Sequence, residues 1–181
     1  NAVGSAAIIA RRMGLSYDQT RHALGIAEYH GPRSQMMRAI DYPTMIKDGS
    51  GWGAMAGVSA GLLAADGFTG APAITVEAEY AKEDIASYWH DLGDEWQVMI
   101  HYFKPYAVCY WAQPAIAGAL KLQTAHNLTT QEISAIKVHT FHESSRLAMR
   151  EPKMTDEAQY SLPFPVGAAL VHGKVLMDEI N

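Results

Sequence analysis

Cysteine is almost missing from this chain: Cys109 stands alone in 181 residues. No internal disulfide can form, and a reducing, cytoplasmic compartment is the natural home. Basic charge is scarce too, with 14 Lys and Arg against 19 Asp and Glu for a formal net charge of −5. With no run of lysine and arginine there is no electrostatic footprint for nucleic acid or for an anionic membrane surface. Long hydrophobic runs are absent as well. The longest, around residues 54–65, is short and interrupted by glycines and a serine, so it cannot span a bilayer. The chain opens on Asn1 rather than Met and shows no charged start followed by an apolar run. It is expected to be cut from a longer protein, which limits what it does alone. What is present is apolar bulk: 49% of residues are hydrophobic and 18% charged, below the roughly 25% charged of average domains. That is enough for a globular core.

Up to residue 70 the text is rich in Ala, Gly and Met with helical spacing. "NAVGSAAIIARRMG" predicts a helix closed by Gly14, and "LSYDQTRHALGIAEYHG" a second, opened by a Ser16–Gln19 capping box and stopped at Gly31-Pro32. "GWGAMAGVSAGLLAADG" predicts a third, where Gly53, Ala56, Gly57, Ala60 and Gly61 permit close approach by neighbours. A tight helical bundle follows. After Gly70-Ala71-Pro72 aromatics and acids enter. "WQVMIHYF" and "ISAIKVHTF" read as strands, and "AQPAIAGALKLQTAHN" as a helix ended by Asn127. Thr129 and Glu132 form a second capping box, and Thr155 opens a last helix that Pro163 and Pro165 must break or kink. The expected fold is α+β: part of a helical domain over 1–72, then a smaller α+β lid domain over 73–181.

"HYFKPYAVCYW" (101–111) threads Lys104 into otherwise apolar text. A buried ammonium is costly unless paired, so such a lysine either snorkels to the surface or waits where a carboxylate will meet it. "YPTMIKDGSGWG" (42–53) supplies a second cation, since Lys47 precedes a turn in which Gly49 and Gly51 let a ligand approach the backbone at a helix start. Lysine plus backbone N–H groups make a cradle for carboxylate or phosphate. The order of a Walker A loop is absent, as is a dinucleotide-binding glycine fingerprint.

"MIKDGSGWGAMAGVSAGLLAADGFTG", "FKPYAVCYWAQPAI" and "DEAQYSLPFPVGAALVHGKV" occur in this order, and the chain from residue 1 to about 178 resembles the MmgE/PrpD family. That family includes 2-methylcitrate dehydratase, cis-aconitate decarboxylase and iminodisuccinate epimerase. The resemblance implies an enzyme, commonly a homodimer, with a helical domain, an α+β lid and a site in the cleft between them. It implies no metal or organic cofactor, and a small di- or tricarboxylic acid as substrate. On it, Lys104 is the lid lysine facing substrate, and Lys47 matches the helical domain's active-site lysine with one residue of gap. Tyr106 and Cys109 fall on the lid motif, and Gly49, Gly51 and Gln113 join them as substrate-binding positions. Many relatives carry histidine where this chain has Gln113, and the family's proton-transferring histidine and aspartate lie upstream of residue 1. The 181 residues alone are therefore expected to be inactive.

Two lysines facing one pocket would repel, favour a polyanion, and be drawn toward proton-transfer range. The reading is a lyase that abstracts a proton next to a carboxylate. An isomerase, epimerase or decarboxylase using the same abstraction is the alternative, and a non-catalytic binding or assembly protein that keeps the fold is the rival from another class. Cys109 among Tyr106, Tyr110 and Trp111 reads as a packed thiol that lines the site. His139 and His142 lie on strand-like text that sends them to opposite faces, against a metal pair. His30, with Arg33 and Ser34, lies on a loop that could reach the cleft, though a surface loop is the first reading. The remaining histidines, His22, His90, His101, His126 and His172, read as structural or exposed, and the group Met13, Met36, Met37, Met45 and Met55 as core filler.

Overall fold

The computed structural model describes residues 1–33, 35–47, 49–77, 79 and 84–181. Ser34 of the loop after His30 and Asp48 of the glycine-rich turn lie outside these described residues. The helices are α1 (Ala2–Met13), α2 (Tyr17–His30), α3 (Met37–Asp41), α4 (Ser50–Ala65) and α5 (Gln113–His126), followed by α6 (His142–Ser145), α7 (Thr155–Gln159), α8 (Pro163–His172) and α9 (Met177–Ile180). The chain divides into two compact units, residues 1–34 with 47–101 and residues 35–46 with 102–181. Among the described residues no helix is long and apolar enough to cross a membrane.

In the first unit α1, α2 and α4 pack against one another. Ala2, Ala6 and Ala10 recur every four residues on α1 and are buried, as are Gly53, Gly57, Ala60, Gly61 and Ala64 on α4. The glycines are what let the two backbones close: a Cβ on Gly57 would run into the Ala2 carbonyl oxygen, and one on Gly61 into the Ile9 side chain. The ends of the helices obey local rules. Gly14 stops α1 in the left-handed region at φ 67°. Ser16 and Gln19 form the expected reciprocal box at the start of α2, with Gln19 N donating to Ser16 Oγ at 3.2 Å and Ser16 N to Gln19 Oε1 at 3.1 Å.

In the second unit α5 packs on α8, around a core that includes Ile40 of α3, Val108, Ile116, Leu147 and Val166. Asn127 ends α5 in the left-handed region at φ 49°. The last predicted helix is split: α7 ends at Gln159, and Pro163 restarts the chain at the first turn of α8, where its missing N–H is no loss.

The strands are a different matter. Within "WQVMIHYF", Gln97–Ile100 closes a 3-10 turn, its local bonds including Met99 N to Trp96 O at 2.9 Å. These i→i+3 bonds engage groups a ladder would need. Within "ISAIKVHTF", residues 134–140 are irregular and exposed, and none of them makes a backbone hydrogen bond to a described residue. An alternating pattern marks a surface fit for pairing, but a strand exists only with a neighbour to pair with. The β pairing among the described residues is a single antiparallel bridge, Ala148 to Ser161. The expected α+β fold is thus corrected: the chain is mostly helical and its second part is no α+β lid.

Candidate functional site

The second unit gathers four of the sequence-predicted residues on one loop and the helix start that follows it. Lys104 is exposed, rather than sunk in a buried strand. Its Nζ lies 3.4 Å from the Val108 carbonyl oxygen, and no carboxylate of the described residues is within ion-pair distance. The snorkelling alternative accounts for its exposure, and the loop accounts for its anchorage. Val108 is buried in the core. Ala107 N donates to Val175 O at 3.1 Å and Cys109 N to Gln159 O at 2.8 Å, so the loop is sewn to the segments on either side of it. Tyr106 and Cys109 are half-buried and pack against that core.

Gln113, the first residue of α5, is 6% exposed. Its Nε2 donates to Tyr106 O at 2.9 Å and to Val108 O at 3.0 Å, and its Oε1 accepts from Tyr106 N at 3.2 Å. Beside the loop the rings of Tyr102 and Tyr110 stand 5.8 Å apart, and a hydrogen bond donated by the Tyr102 hydroxyl to Tyr110 holds the Tyr102 phenol above its ordinary range.

Lys47, Gly49 and Gly51 belong to the first unit. Lys47 is exposed. Gly49 caps α4, and Gly53 N donates to Gly49 O at 2.8 Å to close the first turn. A Cβ on Gly51 would meet nothing within 4 Å, whereas one on Gly49 would lie 3.4 Å from Pro32. Gly49 and Gly53 line a hollow of about 420 Å³ together with Glu28, Arg33 and Thr75. Glu28 went unnoticed in the sequence because its partners are 46 and 47 residues away. Its carboxylate accepts from Ile74 N at 2.9 Å, from Thr75 N at 2.8 Å and from the Thr75 hydroxyl. Burial alone would raise its pKa; those bonds, with Arg33 nearby, hold it below its ordinary value. Arg33 donates one N–H to the Glu28 carbonyl oxygen at 2.7 Å, and Gly31, Pro32 and Arg33 of the loop after His30 line this hollow of the first unit. Among the described residues, no cluster of His, Cys, Asp and Glu could hold a metal ion.

The model of the MmgE/PrpD N-terminal domain matches residues 1–92, and that of the MmgE/PrpD C-terminal domain matches residues 106–181. The chain belongs to the MmgE/PrpD family. The MmgE/PrpD matches take in Lys47, Gly49 and Gly51 on one side and Tyr106, Cys109 and Gln113 on the other, while Lys104 falls in the interval between them. Membership makes the chain part of a dehydratase-like group of enzymes. No curated protein matches the chain.

Proposed function

We propose that this MmgE/PrpD protein is a cofactor-independent lyase, dehydratase-like, acting on a small di- or tricarboxylic acid. In this reading a proton leaves the carbon next to a carboxylate, its electron pair is delocalised into that carboxylate, and hydroxide departs from the neighbouring carbon with a proton as water. The observation that carries the reading is Lys104: an exposed ammonium on a tightly bonded loop, held by one long bond to a neutral carbonyl. A substrate carboxylate offers it a charge-assisted hydrogen bond, roughly twice as strong as a neutral one. An ammonium fixed beside developing negative charge also stabilises the enolate-like intermediate. Lys47, by its match to the helical domain's active-site lysine, is assigned to the same chemistry. Tyr106, Cys109, Gly49, Gly51 and Gln113 are assigned to the site's lining. The single cysteine and the family resemblance support a cytoplasmic homodimer.

The test is deuterium exchange followed by NMR, using the complete enzyme with citrate, methylcitrate, malate and N-substituted aspartates. Exchange or turnover with one of these acids, lost in Lys104→Ala with the fold intact, is the expected result. Exchange without a leaving group would identify an epimerase, and carbon dioxide release a decarboxylase. Near-normal activity in Lys104→Ala would sink the assignment of Lys104. Absence of any exchange in folded protein would move the reading to binding or assembly.

A further inference from the structure

Gln113 uses both amide N–H groups and its carbonyl oxygen on the backbone of the loop that carries Lys104. Three of its four hydrogen-bonding sites are therefore spent on chain, in a side chain 6% exposed. Val108 O accepts from Gln113 Nε2 at 3.0 Å and from Lys104 Nζ at 3.4 Å, so the two side chains share one acceptor. A carbonyl has two lone pairs and can serve both. α5 holds the Gln113 backbone at its first turn, with Pro114 following it.

We propose that Gln113 is a positioning residue: its amide clamps the Tyr106–Val108 turn and thereby fixes the carbonyl on which the Lys104 ammonium rests. Few side chains can take its place. A neutral imidazole has one donor and one acceptor where three bonds are made, and a carboxylate has no donor for the two carbonyls. Asparagine is shorter by one carbon, about 1.5 Å, and cannot span to both. The effect of the clamp on substrate rests on the role proposed for Lys104, whereas the clamp itself does not.

Gln113→Met keeps the length and much of the volume of the side chain and removes every hydrogen bond. Tyr106 N–H has Gln113 Oε1 as its partner, while Ala107 and Cys109 N–H groups are bonded to Val175 and Gln159 carbonyls. In amide exchange of the 181-residue chain, Gln113→Met should speed Tyr106 by about tenfold or more while Ala107 and Cys109 change little. A role in packing alone predicts no such difference, and an unchanged Tyr106 rate overturns the clamp. Should Gln113→Met not fold, the unmutated chain decides: the Gln113 side-chain amide protons should exchange about tenfold more slowly than those of exposed Gln131. Equal rates overturn the proposal. Citrate, titrated against the 13Cε signal of Lys104, reads the consequence. Binding that weakens severalfold in Gln113→Met is expected, and Lys104→Ala, which carries no Lys104 signal and is read by titration calorimetry instead, should bind no citrate. A Lys104 signal that titrates identically with and without the clamp overturns its control of Lys104. If the Lys104 signal of the unmutated chain answers none of citrate, methylcitrate, malate and N-substituted aspartates while the exchange pattern holds, the role proposed for Lys104 fails and the clamp stands.

Discussion

Glu28 shows how one side chain stabilises a contact that no local pattern reveals. Five features act on its carboxylate: burial opposes the charge, and the Thr75 hydroxyl, two backbone N–H groups and Arg33 favour it, the balance falling below the ordinary value of 4.5. A group whose folded pKa is depressed contributes stability that is complete above the unfolded value and is lost as pH falls through the folded one. The stabilisation should therefore be present at neutral pH and fade on acidification below about 4.5. Thr75→Val removes the hydroxyl donor and keeps the backbone bonds. It should raise the Glu28 pKa toward 4.5 and move the acid-unfolding midpoint to higher pH, read by carboxyl 13C NMR and by circular dichroism. An unmoved Glu28 titration would show that the hydroxyl is dispensable. At this scale the sequence disclosed residue identity and little else. Lys104 could be singled out as an oddity in apolar text, whereas the work of Gln113 depends on a loop doubling back to within 3.0 Å of its amide, which no spacing rule expresses.

Helix ends were legible because capping is a transaction among residues three or four apart. Ser16 with Gln19, Gly14, Asn127 and Pro163 each act within one turn of the chain. Strands were not legible, because alternation in "ISAIKVHTF" is a necessary condition and a pairing neighbour is the sufficient one. Residues 134–140 satisfy the first and, among the described residues, lack the second. Small-residue helix faces fall between these cases: α4 reads as a close-packing helix, but which glycine matters is decided by geometry. Gly57 and Gly51 separate the two reasons for glycine. Gly57→Ala places a methyl against the Ala2 carbonyl and Ser5 Cβ, and overpacking of this kind costs about 1–3 kcal/mol, measured as a lower denaturation midpoint. Gly51→Ala meets nothing within 4 Å and removes backbone entropy from a helix, so it should stabilise by up to about 1 kcal/mol. If Gly51→Ala is stabilising yet weakens carboxylate binding, close approach of a ligand is the function of that glycine. A destabilising Gly51→Ala would contradict the open geometry.

Over the whole molecule, the chain's route differs from its texture. The alanine- and glycine-rich text runs on to residue 70, yet residues 35–46 leave it to join 102–181 in one compact unit. Ile40 on α3 is 2% exposed and sits in the core with Val108, Ile116 and Leu147. Next to it, Asp41 accepts from Arg146 Nε at 2.9 Å and pairs with the second guanidinium nitrogen as well, across 105 positions of sequence. Composition follows neighbours along the chain and cannot see such a return. Core membership follows neighbours in space. The bidentate pair is partly exposed and contributes geometry more than energy, so the apolar contact should dominate. Ile40→Ala removes a fully buried aliphatic side chain and should cost about 2–5 kcal/mol, whereas Asp41→Asn should cost less than about 1 kcal/mol. Chemical denaturation, followed by the fluorescence of Trp111 in that unit, measures both. A piece comprising residues 102–181 alone lacks Ile40 and should behave like Ile40→Ala or worse, with amides of α5 and α8 losing protection together. If that piece keeps full protection, the excursion through α3 is a passive tether and the core closes without it.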